Sequence, residues 1–143
     1  MTRLLQQRSR IVRVRRLQHD LAASAAAAAA GKVQALETSR QRLADMRSEL
    51  RAAPGVTSGS SLARLGVLAM RLDAARQGLA PSLDSARAAA AQKERIRVSR
   101  RRDQESAEKL QQSAAAAAEA LAERQTLRAP RRRARLMNDG GEQ

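Results

Sequence analysis

The chain is predicted to be all-α, a long antiparallel two-stranded coiled coil folded as a helical hairpin, and three observations predict it. There is no Phe, Trp or Tyr, and much of the 43% apolar fraction is Ala, so burial has to follow a narrow seam rather than fill a thick core. Leu and Ala recur at helical 3,4 spacing over long stretches on both sides of one interruption. That interruption, Ala53–Ser61, is the only place that concentrates helix breakers: Pro54 lacks a backbone donor, Gly55 and Gly59 tolerate positive φ, and the serines offer caps to the next helix.

The first helix is expected over about residues 2–52, roughly 75 Å at 1.5 Å per residue. Leu4, Ile11, Val14, Leu17 and Leu21 mark one stretch of its apolar face, and Leu36, Leu43, Met46 and Leu50 another. Val14 to Leu36 spans two elevens, a drift from strict heptads toward a straighter pair. Between them lies Ala22–Ala30, interrupted only by Ser24, with the highest helix propensity and side chains small enough for close backbone approach.

After the loop, 53–61, a second helix is expected over about 62–128. Leu62, Leu65, Ala69, Leu72, Leu79, Leu83 and Ala86 keep the 3,4 spacing, with Leu68 alongside; a second phase continues as Ala89, Ile96, Ala107, Leu110, Ala114, Ala117 and Leu121. The seam is therefore read as Leu36, Leu43 and Leu50 against Leu65, Leu72 and Leu79. Gly66, Gly78 and Pro81 weaken this helix, and an interior proline costs roughly 3 kcal/mol and usually kinks it. Because Leu72, Leu79, Leu83 and Ala86 hold their phase across Pro81, a kink is favoured over a second turn that would make three helices. Residues 129–143, with Arg131–Arg133 and Asn138-Asp139-Gly140-Gly141, read as a disordered basic tail after a single domain of residues 1–128.

The net charge of +14 is carried by three clusters. Residues 1–19 hold +6, Lys93–Arg102 +5 and Arg124–Arg135 +6, leaving the rest of the chain at −3. The first cluster superficially suits a transit peptide, but its apolar spacing runs on without a cleavage-like break. If the turn centres near Thr57, residue i faces about residue 114 − i. Ala22–Ala30 then meets Ala86–Ala91, and Arg13, Arg15 and Arg16 lie beside Ile96–Arg102, gathering like charges at the end away from the turn.

Catalytic, cofactor and metal sites are not expected. His19, the only histidine, stands on a basic helix beside Asp20 with no pocket, and reads as solvated. Gly31-Lys32 lacks the first Gly and the Ser or Thr of a phosphate-binding loop, and the carboxylates are scattered. Zero Cys excludes disulfides and thiol chemistry, and Leu21–Gly31 is far shorter than the roughly 20 apolar residues of a membrane span. What remains is electrostatic partner binding through Arg13, Arg15, Arg16, Arg97, Arg100, Arg101 and Arg102. Single-stranded nucleic acid would be attracted by phosphate contacts alone, without aromatic stacking, so no specific nucleic acid is expected.

The pattern Leu4-x6-Ile11-Val12-Arg13-Val14-Arg15-Arg16-Leu17-Gln18, an Ala-rich helix, a loop near one third of the length and a longer basic second helix resemble the FliJ-type flagellar export proteins. The layout over residues 4–128 is similar also to the YscO-like and Hrp-type stalk proteins of virulence type III secretion. The resemblance implies a non-enzymatic coiled-coil stalk whose paired ends enter an export ATPase ring. It also implies contact with the membrane-embedded export gate, escort of secretion chaperones, no cofactor, and a cytoplasmic place at the inner face of the bacterial membrane. The absence of aromatics and the dense Arg clusters depart from the mixed-charge surface of the flagellar members. The alternatives are a basic coiled-coil adaptor on anionic membrane or nucleic acid, and an intermolecular coiled coil in which the loop links subunits.

Overall fold

The computed structural model describes residues 2–52 and 58–138, with side chains over residues 3–50 and 58–127. It consists of two helices, α1 over Thr2–Ala52 and α2 over Gly59–Asn138, with no strand among the described residues. The all-α expectation holds. Pro54 and Gly55 lie outside the described residues.

Two boundaries differ from those expected of the sequence, each for a local reason. Gly59, expected in the loop, is the first residue of α2, because Ser58 caps the helix: its carbonyl accepts the Leu62 amide at 3.1 Å and its Oγ accepts the Ser61 amide at 3.3 Å. At the other end α2 continues through Pro130 to Asn138, where a disordered tail from residue 129 was expected. Ala, Arg, Leu and Met around that proline are all strong helix formers. Helix α2 also passes Gly78 and Pro81 without a break, so the three-helix reading is excluded.

The chain divides into two units, Met1–His19 with Ser99–Gln143, and Asp20–Val98. In each, α1 and α2 run antiparallel. In the first unit Arg8 reaches the Leu110 carbonyl and Arg15 reaches Asp103; in the second Glu37 holds Arg87 at 2.8 Å and Arg47 holds Asp73 at 3.1 Å. A turn centred on Thr57 would have placed Gln77 opposite Glu37 and Ser99 opposite Arg15. The true partners lie further along α2, which slides Ala22–Ala30 mostly off the Ala86–Ala91 stretch.

Burial follows heptads, broken at the exposed Arg76 and Lys93, and not the drifting stripe. On α1 one covered series runs Leu5, Val12, His19, Ala26, Val33 and the other Arg8, Arg15, Ala22, Ala29, Leu36, Leu43, Leu50. Leu36, Leu43 and Leu50 are thus where they were expected, but Leu4, Ile11, Val14, Leu17 and Leu21 are all exposed, Leu21 to 65%. On α2 the covered series are Ala69, Leu83, Ala90, Arg97, Gln104, Gln111, Ala118 and Leu72, Leu79, Ala86, Arg100, Ala107, Ala114. Leu72 and Leu79 are half-covered; Ala89, Ile96, Leu110, Ala117 and Leu121 are exposed. Leu65 is exposed too, since it lies beyond the reach of α1. Only Val12, Ala26 and Leu83 are buried apolar residues among those described.

Gly31, Gly66 and Gly78 sit inside helices, and a Cβ at any of them would meet nothing within 4 Å. Each therefore forfeits helix propensity without a packing reason. The triple substitution Gly31→Ala, Gly66→Ala, Gly78→Ala is expected to stabilise the chain by about 1.5–3 kcal/mol, at roughly 0.5–1 kcal/mol per site. Thermal melts followed by far-UV circular dichroism check this; an unchanged midpoint would refute it.

Candidate interaction surface

Six of the seven arginines expected to bind a partner, Arg13, Arg15, Arg16, Arg100, Arg101 and Arg102, belong to the unit that holds both chain ends; Arg97 belongs to the other. The heptad series explains what surrounds them. In this unit the covered line of α1 carries Arg8, Ser9, Arg15 and Gln18, and that of α2 carries Arg100, Asp103, Gln104, Glu108 and Gln111. Apart from Leu5, Val12 and a few alanines, the seam here is polar.

Its arginines are taken up by carboxylates that lie just after the second basic cluster in the sequence. Arg15 donates through Nη1 to Gln18 Oε1 at 3.0 Å and to Asp103 Oδ2 at 3.4 Å. Arg16 donates through Nε to Glu108 Oε1 at 2.9 Å, and that oxygen also accepts the Gln104 amide at 3.1 Å. Along α2, Arg100 pairs with Asp103 at 3.6 Å and Arg101 with Glu105 at 2.8 Å. The Gln104 amide, and then Arg16, hold the Glu108 carboxyl below the usual carboxylate range. In the other unit Arg97 clasps Glu94 through two bonds, 2.8 and 2.6 Å. That pairing lowers the Glu94 carboxyl and raises the Arg97 guanidinium from their ordinary values.

Residues 1–19 and Arg100–Arg102 do come together, Arg15 and Arg100 sharing Asp103 Oδ2, but carboxylates stand between them. A register displaced along α2 by one helical turn sets Arg15 against Asp103 in place of Ser99, and the Arg–Arg repulsion becomes Arg–carboxylate attraction. Arg13 and Arg102 are the two arginines of the expected site that form no ion pair among the described residues, and both are exposed. His19 is also corrected: it stands half-covered on the heptad line instead of in open solvent.

Beside these charges α1 presents Leu4, Ile11, Val14 and Leu17, all exposed, on the same turns as Arg3, Arg10 and Arg13. Ile11 also lines an open groove with Arg8, Arg15, Asp103, Ala107 and Leu110. Such a surface offers apolar contact edged by cations, suited to an anionic partner. Among the described residues no group of three His, Cys, Asp or Glu is placed to hold a metal, and no helix is long and apolar enough to cross a membrane.

Comparison with protein-family models, with curated proteins and with solved structures gives no match to this chain.

Proposed function

We propose that the chain is a non-enzymatic stalk of a flagellar or virulence type III export apparatus, cytoplasmic and peripheral at the inner face of the membrane. Its basic unit docks into the export ATPase ring, and the chain contacts the export gate and escorts chaperones. The observation that supports this reading most is the placement of both chain ends, antiparallel and Arg-rich, in one unit. An Arg-rich helical end of that kind fits an acidic annulus.

The pairing pattern refines which arginines act. Arg15 and Arg16 are engaged between α1 and α2, and Arg100 and Arg101 within α2, whereas Arg13 and Arg102 have their charge available to a partner. Reversing Arg13→Glu and Arg102→Glu is expected to weaken binding to a purified export ATPase by at least about tenfold with helicity retained, since close interfacial charge pairs couple by more than 1.4 kcal/mol. Unchanged affinity would sink the assignment.

A second reading is favoured by the exposed Leu4, Ile11, Val14 and Leu17 among arginines: a basic adaptor on an anionic membrane. Flotation with phosphatidylserine vesicles that is abolished by Leu17→Ser, with no ATPase retained in pull-downs, would establish it in place of the stalk.

A further inference from the structure

The 3,4 series of α2 does not end where α1 does. Arg47 holds Asp73, so in an antiparallel pair the last residue of α1, Ala52, comes level with about Leu68. The start of α2 extends past that point. The exposures track the overlap along one stripe: Leu62 is 59% exposed, Leu65 39%, Leu72 half-covered and Leu83 1%. Every residue from Ser58 to Leu68 is exposed, and Val67 and Met70, off the stripe, are exposed as well. Five large apolar side chains thus stand open within nine residues. Scattered exposed apolar residues are ordinary, but a continuous helical stripe that forms seam lower down and runs on uncovered is not.

Charge decides what covers it. Arg64 and Arg71 flank Val67 and Leu68, and the four line one shallow groove with Ala63. Neither arginine forms an ion pair among the described residues. From Gly59 to Leu72 the helix carries no acid, and the first, Asp73, is already held by Arg47. A second copy of this segment would set arginines against arginines, which disfavours self-association. The complementary surface is apolar with acidic edges.

We infer that Leu62–Arg71 is a docking site for an acidic amphipathic helix of another protein, whose apolar face lies along Leu65 and Leu68 while its Asp and Glu meet Arg64 and Arg71. This is helix-in-groove recognition, with anchors at 3,4 spacing and rim charges choosing the partner. It is separate from the docking of the basic unit, so either can fail alone.

The test uses the full chain and three synthetic helical peptides of about 18 residues: Leu anchors edged by Glu, the same anchors edged by Lys, and a scrambled Glu peptide. The Glu peptide is expected to bind at least about tenfold tighter than either control by titration calorimetry. Its amide-exchange footprint should fall on 59–71. Arg64→Glu with Arg71→Glu should transfer the preference to the Lys peptide. Leu65→Ser with Leu68→Ser should abolish binding, with far-UV helicity showing that both variants fold.

A footprint on the arginines of residues 1–19, or no difference between Glu and scrambled peptides, would overturn the inference. Concentration-dependent dimerisation lost in the Ser variant would replace it with a second copy of the chain. Vesicle flotation lost in the same variant, without peptide binding, would replace it with a lipid surface.

Discussion

Leu83→Ala is expected to destabilise the chain by about 2–4 kcal/mol, the largest effect of any single apolar truncation on the described seam. Leu83 is 1% exposed, the most completely buried side chain described, and only Val12 and Ala26 join it as buried apolar residues. Removing its isobutyl group loses transfer free energy and leaves a gap between two helices, each otherwise covered on one narrow line. In a globular core neighbours from several layers share such a loss; a two-helix seam has few neighbours to move. Leu68→Ala, at a side chain 44% exposed, is the matched control and should cost much less. Urea unfolding monitored at 222 nm measures both. A cost for Leu83→Ala no greater than the control's would show that the seam does not run through this residue.

How far the sequence was legible divides at the same line. Fold class came from the missing aromatics and the 3,4 spacing, and Leu36, Leu43, Leu50, Leu72 and Leu79 were found because large apolar residues mark seam positions there. Toward the amino terminus hydrophobicity misled. Leu4, Ile11, Val14, Leu17 and Leu21 are the conspicuous residues, yet they face solvent, and the covered line is Leu5, Val12, His19, Ala26 and Val33. A signal was available: counting back by sevens from Leu36, Leu43 and Leu50 gives Ala29, Ala22, Arg15 and Arg8, all covered. Arginine at two of those positions hides the series from a search for apolar residues. The Arg–carboxylate pairs were missed for a related reason. They depend on a register that shifts partners along α2 by one turn at Arg15 and further at Arg16, and composition is blind to register.

The polar seam of the unit holding the chain ends carries the second prediction. Asp103→Lys together with Glu108→Lys is expected to release Thr2–Leu17 from α2, because Arg15 and Arg16 would then face lysines in place of the carboxylates that hold them at 3.4 and 2.9 Å. Amide exchange over Thr2–Leu17 should quicken by roughly tenfold or more, while amides of Asp20–Val98 hold their protection, since opening there is governed by a different set of contacts. Exchanging partners, Arg16→Glu with Glu108→Arg, should restore protection, which a general loss of helicity would not. The same contact predicts a direction with pH. The Glu108 carboxyl is depressed in the folded chain by Gln104 and Arg16, so the unfolded state binds its proton first, and the stabilisation is complete above the ordinary carboxylate range. It is lost as pH falls through the depressed folded value. Acidification below about pH 4 should therefore loosen Thr2–Leu17, and less so in a Glu108→Gln variant, whose amide carries no titrating charge. Protection unchanged by the lysines would mean that the few apolar residues of this unit, Val12 foremost, hold it without the ion pairs.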